Sequence, residues 1–293
     1  MSLDLTQAAE AVRHHYDVGN AFYDLWLDDS RTYSCALRAD PKSPGTGDTL
    51  EAAQERKLKF HLDAVGADRA GAVLDIGCGW GSILERLALT HRVPRSVGLT
   101  LSEEQAAFVS ARRYPGVEVR VQDWRDHEPD GGYDGIVSIG AFEHFARPDD
   151  TPAGKVARYR EFFVRCRDWL APGGALSLQT IAYANMSRDD ASGFMQQEIF
   201  PHADLPTLSE ITAAAEGVFE IRSVHNGRLD YAWTCEQWAR RLRARRAEAV
   251  ALVGTDTVAR YERYLKLSAL GFRMGKIGLL RLVMGPYRDG YFR

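Results

Sequence analysis

The chain has 293 residues, a formal net charge of −3, 45% hydrophobic residues and 26% charged residues. These values are ordinary for a globular protein with one large domain, and they exclude a global electrostatic attraction to nucleic acid or to an anionic membrane. The four cysteines have no Cys-x-x-Cys spacing, so the sequence predicts neither a metal site nor a redox dithiol, and it fits a reducing cytoplasm.

The first sixty residues predict a helical lid. Residues 8–14 and 21–27 have helix-compatible patterns, and the segment is rich in Tyr, His and Trp, which suits a lid over a ligand site. An arm that only packs on the core fits the same pattern. Residues 1–10 lack the basic start and apolar core of a signal peptide, so none is expected.

The strongest motif is a strand, a glycine turn and a helix in immediate succession. The apolar run 72–76 contains Asp75 and leads into glycines at alternate positions, and a helix-type run at 82–89 follows. Without a Cβ, glycine allows a tight turn and lets a ligand lie against bare backbone. The Gly-x-Gly-x-Gly spacing differs from that of dinucleotide binders, which favours a ligand without a pyrophosphate, such as S-adenosylmethionine. A glycine-rich turn without a ligand is the alternative.

Strands alternate with helices as far as residue 181, which predicts a parallel sheet. The later strands of this part are expected at 96–99, 117–121, 133–140 and 175–181. The pattern changes after residue 182. Two strands, three helices and an apolar tail are predicted there: strands at 219–225 and 227–231, helices at 209–216, 233–253 and 258–270, and the tail at 277–284. The tail is too short to cross a bilayer, so core packing is expected.

Ligands of such sheets lie beyond the carboxyl ends of the strands, which selects candidate cofactor residues. Thr100 ends the second strand, and Gln105 on the next helix is expected to bind the ribose or merely to cap that helix. After the third strand, Asp123 is a candidate acceptor for the adenine amino group and Trp124 a candidate stacking partner. An exposed strand end with a packing Trp is the alternative.

Two other polar groups of residues are candidates for function. Glu143 and His144 follow the fourth strand, where we expect an active-site role for both. The basic run at 240–246 fits a solvated helix face, and a patch for an anionic group or a carrier protein is the alternative.

Several stretches, taken in order, resemble one family, the cyclopropane synthases that act on mycolic and other fatty acids. This family also includes related small-molecule methyltransferases. The stretches that carry the resemblance are residues 15–23, 32–36, 74–81, 97–105, 136–145, 198–201, 205–206 and 261–264.

The resemblance implies an α/β architecture, the Rossmann-like class I methyltransferase fold, with a central, mostly parallel sheet flanked by helices. It implies one domain over residues 1–293. A helical lid would cover 1–60, the cofactor-binding core 61–181, and a substrate cap with the last strands and C-terminal helices 182–293. With the strand-end residues above, the predicted S-adenosylmethionine contacts are Tyr33, Ser34, Asp75, Gly77, Gly79, Thr100, Leu101, Gln105, Asp123, Trp124 and Ile139.

In the family, a bicarbonate ion often removes the proton that allows ring closure. Its cage corresponds to Cys35, Ile139, Glu143, Gln179 and Tyr231. The chain departs from the family pattern here. Gln179 and Asp230 stand where the family usually has His, and the sequence reads Asp-Trp-Arg at 123–125 in place of Gly-Trp-Glu. Glutamine cannot become a cation and aspartate adds negative charge, so we expect weakened bicarbonate binding and plain methyl transfer without ring closure.

The predicted catalytic residues are Tyr16, Glu143, His144, Gln179, Asp230 and Tyr231. Of these, Glu143, Asp230 and Tyr231 would orient the substrate or accept a proton. Tyr16 would shield the reacting cation together with Trp26, Phe142 and Trp233, partly by cation–π attraction. The preferred hypothesis is transfer of a methyl group to a nucleophilic carbon of an apolar small molecule in secondary metabolism, either an electron-rich ring such as indole or an alkene. A cyclopropane synthase acting on unsaturated acyl chains is the first alternative and a small-molecule N-methyltransferase the second. A non-catalytic binding protein is the remaining class. No metal and no nucleic-acid partner are expected.

Overall fold

One seven-stranded sheet organises the computed structural model, which describes residues 19–40, 47–187 and 204–287. The strands are β1 (Ala72–Ile76), β2 (Arg95–Thr100), β3 (Val117–Val121), β4 (Tyr133–Ile139), β5 (Leu170–Tyr183), β6 (Phe219–Asn226) and β7 (Ile277–Pro286). Their order across the sheet is β3-β2-β1-β4-β5-β7-β6, and β7 runs antiparallel to both of its neighbours. The other pairings are parallel, so the predicted α/β architecture is confirmed.

Helices pack against the sheet and form most of the segment between β6 and β7. They are α1 (Asn20–Tyr23), α2 (Leu50–Ala64), α3 (Ser82–Leu89), α4 (Glu103–Ser110), α5 (Pro152–Trp169), α6 (Leu208–Ala215), α7 (Arg228–Ala244), α8 (Arg246–Val253) and α9 (Thr255–Arg273). The helices α2, α4, α5 and α6 begin after a Ser or Thr whose side chain accepts an N–H of the first turn. Such caps satisfy backbone donors that the helix itself leaves unpaired.

The region after β6 differs from its prediction. Residues 227–231 were expected to form a strand, but the strand ends at Asn226 and α7 begins at Arg228. The Asn226 side chain accepts the Arg228 N–H at 2.9 Å, and the Tyr231 N–H donates to the Gly227 carbonyl at 3.0 Å. An Asn-Gly pair turns the chain here, and Asp230 then lies in a first helical turn, where a carboxylate is favourable.

Other predictions hold with changed boundaries. The apolar tail packs in the core, as expected, and it does so as the strand β7. The helical pattern at 21–27 gives only the single turn α1. The predictions for Tyr16, for residues 8–14 and for the motif at 198–201 lie outside the described residues.

The N-terminal segment packs against the C-terminal helices through an aromatic cluster. Trp26 is fully buried, with ring centroids 5.9 Å from Trp238 and 5.3 Å from Tyr33. The Tyr23 hydroxyl lies 3.0 Å from the Tyr261 hydroxyl. This part of the N-terminal segment is therefore packed against the C-terminal helices.

The basic run at 240–246 is largely neutralised by ion pairs. Arg241 contacts Glu51 at 2.5 Å, Arg245 contacts Glu248 at 2.5 Å, and Arg246 contacts Glu262 at 3.5 Å. These contacts favour the interpretation as a solvated helix face. Within the three described ranges, no helix is both long and apolar enough to cross a membrane.

Candidate active site

The glycine turn after β1 has the geometry expected of a ligand cradle. Gly77, Gly79 and Gly81 all have positive φ angles, of 81°, 54° and 82°. The Gly77 and Cys78 N–H groups both donate to the Leu99 carbonyl at 2.9 Å, which fixes the turn against β2. A Cβ on Gly79 would meet no atom within 4 Å, so bare backbone faces open space there. This opening fits the cofactor that the motif predicts.

The end of β2 forms a small buried polar group. The Thr100 hydroxyl donates to Oε1 of Gln105 at 2.8 Å and accepts the Ser102 N–H at 3.1 Å. Ser102 caps α4 by accepting the Gln105 N–H at 3.3 Å. The amide oxygen of Gln105 therefore accepts from Thr100. Its amide N–H groups are the donors that could bind a ribose hydroxyl.

The adenine candidates Asp123 and Trp124 lie together after β3. Both carboxylate oxygens of Asp123 are held by Arg125, at 3.0 Å and 3.1 Å. The Trp124 ring is buried, with its centroid 5.1 Å from that of Phe145 and 5.3 Å from that of Phe162. The Trp124 indole is therefore held in place by packing. If Asp123 accepts from the adenine amino group, it would do so while also accepting from Arg125.

The helix α2 holds the segment that carries Tyr33 and Ser34. The Gln54 amide donates to the carbonyls of Thr32 and Ser34, at 3.1 Å and 2.9 Å. The ammonium of Lys57 donates to the Ser34 hydroxyl at 3.0 Å. Because Lys57 is buried, desolvation lowers its pKa to about 7. Sequence reasoning did not find this lysine, since one Lys in an amphipathic helix suggests only a solvated face.

Asp75 is the penultimate residue of β1 and is 2% exposed. Burial raises its pKa to about 7, and the nearby charge of Lys57 partly offsets this. Leu101 follows Thr100 directly, and Ile139 ends β4. These predicted contacts all lie at or near the carboxyl edge of the parallel strands.

Glu143 lies in a short turn just after β4 and is 3% exposed. Its Oε2 accepts a hydrogen bond from the Thr180 hydroxyl at 2.9 Å. Burial raises the pKa of Glu143 to about 7, which places a carboxyl group that can gain or lose a proton near neutral pH. The ring of His144 is exposed, yet enough protein surrounds it for desolvation to lower its pKa to about 4. The ring of Phe142, the residue before Glu143, stacks on the ring of Tyr159 in the core, with 4.5 Å between the ring centroids.

Gln179 and Asp230 meet at a residue that the sequence analysis missed, Arg281 of β7. The Arg281 Nε donates to Oε1 of Gln179 at 2.8 Å, and Nη1 lies 3.5 Å from Oδ2 of Asp230. Nη2 donates to the Ala36 carbonyl at 2.8 Å and lies 3.3 Å from the Cys35 sulfur. Arg281 is fully buried. One signal in the sequence could have indicated this residue. Arg281 is the one charged residue in the apolar run 277–284, and a charged side chain in a buried strand needs a partner.

This cation changes the charge balance that the sequence suggested. The negative charge of Asp230 is paired with Arg281 and does not act alone on the site. Burial raises the pKa of Asp230, and Arg281 partly offsets the rise. Burial also raises the pKa of the Cys35 thiol to about 12, so it is a neutral group. Arg281 was not among the predicted site residues, and it places a buried cation beside both Gln179 and Asp230.

Tyr231 lies beside the same cluster. Burial raises its pKa well above the usual value, and the neighbouring Cys35 and Glu143 add smaller electrostatic contributions. The structure thus brings together Cys35, Glu143, Gln179, Asp230 and Tyr231 of the predicted site. Among the described residues, no group of three His, Cys, Asp or Glu side chains is arranged to hold a metal ion.

The fold and the site define a class I S-adenosylmethionine-dependent methyltransferase. The chain belongs to the mycolic acid cyclopropane synthetase family, whose model matches residues 3–282. It is similar to a probable fatty acid methyltransferase of Pseudomonas putida, with 34% identity over 99% of this chain and 73% of the relative. It is also similar to cyclopropane mycolic acid synthase 2 of Mycobacterium bovis, with 36% identity over 89% of each chain.

Two solved structures show the same similarity. The cyclopropane synthase MmaA2 from Mycobacterium tuberculosis has a TM-score of 0.81 at 32% identity and covers 95% of this chain and 98% of its own. The mycolic acid cyclopropane synthase CmaA1, complexed with S-adenosylhomocysteine and CTAB, has a TM-score of 0.82 at 29% identity with the same coverage. The chain is accordingly an enzyme of this class, and its methyl donor is S-adenosylmethionine.

Proposed function

We propose that this enzyme methylates a double-bond carbon of an unsaturated acyl chain and then closes a cyclopropane ring. The substrate class is supported by the similarity to relatives named for fatty and mycolic acids. The observation that supports the chemistry best is Glu143, a buried carboxylate whose pKa of about 7 suits a base at neutral pH.

The residues of the glycine turn and of the β2 end hold the methyl donor in this proposal. Gly79 presents bare backbone, Ser34 is held by α2, and the Thr100–Gln105 pair faces the ribose. When bound, S-adenosylmethionine supplies a methyl group already activated on a sulfonium. The protein's part is therefore alignment and control of charge.

Glu143 then completes the reaction. Methylation uses the π pair of the double bond, and the second carbon becomes a carbocation. The Glu143 carboxylate takes a proton from the new methyl group. The C–H electron pair forms the second C–C bond and closes the ring.

Methylation of an electron-rich aromatic carbon is the second candidate. It is favoured by the two departures at Gln179 and Asp230, where the family pattern has histidines. In that reaction Glu143 takes the proton from the ring carbon and the new methyl group keeps all its hydrogens. Transfer to an amine nitrogen is a further prediction that the same experiment tests.

The deciding experiment supplies methyl-deuterated S-adenosylmethionine to the full chain. Substrates are vesicles of unsaturated phospholipids, free unsaturated acyl chains, an indole panel and an amine panel, with products read by mass spectrometry. An acyl product that keeps two of the three deuterons supports ring closure. Retention of three deuterons, or labelling only of indoles or amines, contradicts it. Glu143→Gln should abolish turnover, whereas the matched surface change Glu216→Gln should not.

A further inference from the structure

Arg31 has a backbone conformation that few residues other than glycine adopt. Its φ angle is 52°, in the left-handed region, and its N–H donates to the Asp28 carbonyl at 2.8 Å. The Asp28 carboxylate holds the same turn, because it accepts the N–H groups of Ser30 and Thr32, at 3.1 Å and 3.0 Å. Non-glycine residues keep this conformation only where their surroundings fix it, and ligand clamps are among the places where they cluster. The contacts of the Arg31 side chain show what this turn positions.

The guanidinium group of Arg31 joins the N-terminal segment to α4. Its Nε and Nη2 both donate to the Asp24 carboxylate, the latter at 2.6 Å. The guanidinium carbon lies 4.1 Å from the ring centroid of Phe108 in α4. Nη1 is buried and has no hydrogen-bond partner among the described residues, which a weakly hydrated guanidinium tolerates best against an aromatic face. The contact between Arg31 and Phe108 therefore links two parts of the chain that lie far apart in sequence.

Phe108 lies at the boundary between two hydrophobic clusters. It packs against the cluster that the N-terminal segment forms with the C-terminal helices, and also against the cluster of α2, α3 and Val109 of α4. The helix α4 in turn packs on the glycine turn, since a Cβ on Gly81 would lie 2.8 Å from Cγ2 of Val109. Phe108 is therefore the point at which the N-terminal segment meets the helix beside the cofactor cradle.

The N-terminal segment also contacts the other elements around this cradle. The indole of Trp80, within the glycine turn, donates to the Asn20 side chain at 2.8 Å, and its ring centroid lies 5.0 Å from that of Tyr23. Further along the segment, two side chains of α2 donate hydrogen bonds to residues 32–34. Residues 20–34 thus bridge α2, the glycine turn and α4.

We propose that Arg31 is a positioning residue that clamps the predicted cofactor contacts Tyr33 and Ser34 to α4. Opening of the contact between Arg31 and Phe108 then sets the rates at which S-adenosylmethionine enters and the product S-adenosylhomocysteine leaves. The clamp joins two parts of the protein and makes no contact with the cofactor. It therefore favours the closed arrangement equally with and without cofactor, and it changes the rates of binding and release more than the affinity. The inference goes beyond the proposed acyl substrate, because it holds for any methyl acceptor.

Binding kinetics of S-adenosylhomocysteine test this proposal in the absence of a methyl acceptor. Arg31→Gln should raise the association and dissociation rates together, with Kd almost unchanged. The expected increase is about 2- to 30-fold, the range that corresponds to loss of one cation–π contact. Phe108→Leu should act in the same way, and the double variant should be no faster than the faster single variant, because both changes remove one contact.

Arg112→Gln is the matched control. The Arg112 guanidinium carbon lies 3.5 Å from the centroid of the same Phe108 ring, but Arg112 also donates to the Phe108 carbonyl, at 3.1 Å, at the end of the same helix. Its substitution removes the same charge and the same type of contact without releasing the N-terminal segment, so both rates should keep their wild-type values. Equal increases in Arg31→Gln and Arg112→Gln would contradict the proposal. A faster dissociation with unchanged association would also contradict it, because the contact would then act on the bound state alone.

Hydrogen exchange of the full chain without cofactor gives a second readout. In peptides from residues 22–36, Arg31→Gln should speed amide exchange, and Arg112→Gln should not. Unchanged exchange in these peptides would refute the clamp, and so would an equal increase over the whole chain, which would assign Arg31 to general stability. If these peptides and the binding rates respond as expected while the wild-type enzyme fails to modify acyl chains, only the proposed substrate is wrong.

Discussion

The hydroxyl of Thr180 donates to the carboxylate of Glu143 at 2.9 Å, although the two residues lie on β5 and on the turn after β4. This bond stabilises the charged form of a carboxyl group whose pKa burial raises to about 7. Together with burial, it therefore contributes to the pH at which the candidate base is ionised.

Thr180→Val should shift the pH dependence of kcat upward. A hydrogen bond to a charged group contributes about 1.5–3 kcal/mol, which corresponds to a pKa rise of roughly one to two units for Glu143. Because the ionised carboxylate is the active form, the acidic limb of the kcat profile should move to higher pH by that amount. The profile is measured with saturating methyl donor. Thr212→Val, which removes a surface hydroxyl bonded to a backbone carbonyl, should leave it in place. An unmoved limb in Thr180→Val would exclude Glu143 as the titrating base.

Gly79→Ala should weaken cofactor binding more than it weakens the fold. Gly79 has a φ of 54° and faces open space, so an added methyl group costs backbone strain and occupies the ligand cradle. Gly173 has a φ of 82° and also faces open space, but at the amino-terminal part of β5. Both Ala variants should lose about 1–2 kcal/mol of unfolding free energy in urea. Only Gly79→Ala should lose affinity for S-adenosylhomocysteine by calorimetry. Equal affinities in the two variants would remove Gly79 from the cofactor site.

The sequence predicted the parts of the site that local pattern determines. The glycine turn follows from a strand, three alternate glycines and a helix, and Glu143 was selected because it follows a strand at the ligand-binding edge. Gln179 and Asp230 were selected through the resemblance, but their charge environment was not predictable. Arg281 pairs with Gln179 across 102 positions of sequence, and no local pattern indicates which antiparallel strand a C-terminal apolar run will join.

The prediction from local sequence pattern was also wrong at the turn between β6 and α7. Residues 227–231 alternate in a way that suits a strand, yet Asn226 and Gly227 turn the chain and α7 starts. This error matters for function, because it would have placed Asp230 and Tyr231 on opposite faces of a strand. On the first turn of α7 both side chains contribute to the buried cluster.

Gly227→Ala should damage the fold through Arg281. Gly227 has a φ of −95°, so an alanine there is not strained, but its Cβ would lie 2.4 Å from Nη1 of Arg281. Such overpacking in a buried site costs about 1–3 kcal/mol. Urea unfolding should show this loss, and the loss should shrink in the background of Asp230→Asn with Arg281→Met. Gly71→Ala, whose Cβ meets its first neighbour at an ordinary 3.4 Å, should cost less. An equal loss with and without Arg281 would mean that the guanidinium is not the obstacle.

Lys57→Met should loosen the segment that carries Tyr33 and Ser34. The Lys57 ammonium is 1% exposed and donates to the Ser34 hydroxyl at 3.0 Å, so the change keeps the apolar stem and removes the donor. We expect weaker S-adenosylhomocysteine binding, by roughly the 1.5–3 kcal/mol of a charge-assisted hydrogen bond at most. Lys59→Met is the matched control, since Lys59 is exposed and pairs with Asp63 one turn along the same helix. Desolvation lowers the pKa of Lys57 to about 7, so the wild-type advantage over Lys57→Met should be largest below pH 7 and decline above it. An advantage that is constant across that range would show that the charge of Lys57 contributes nothing to cofactor binding.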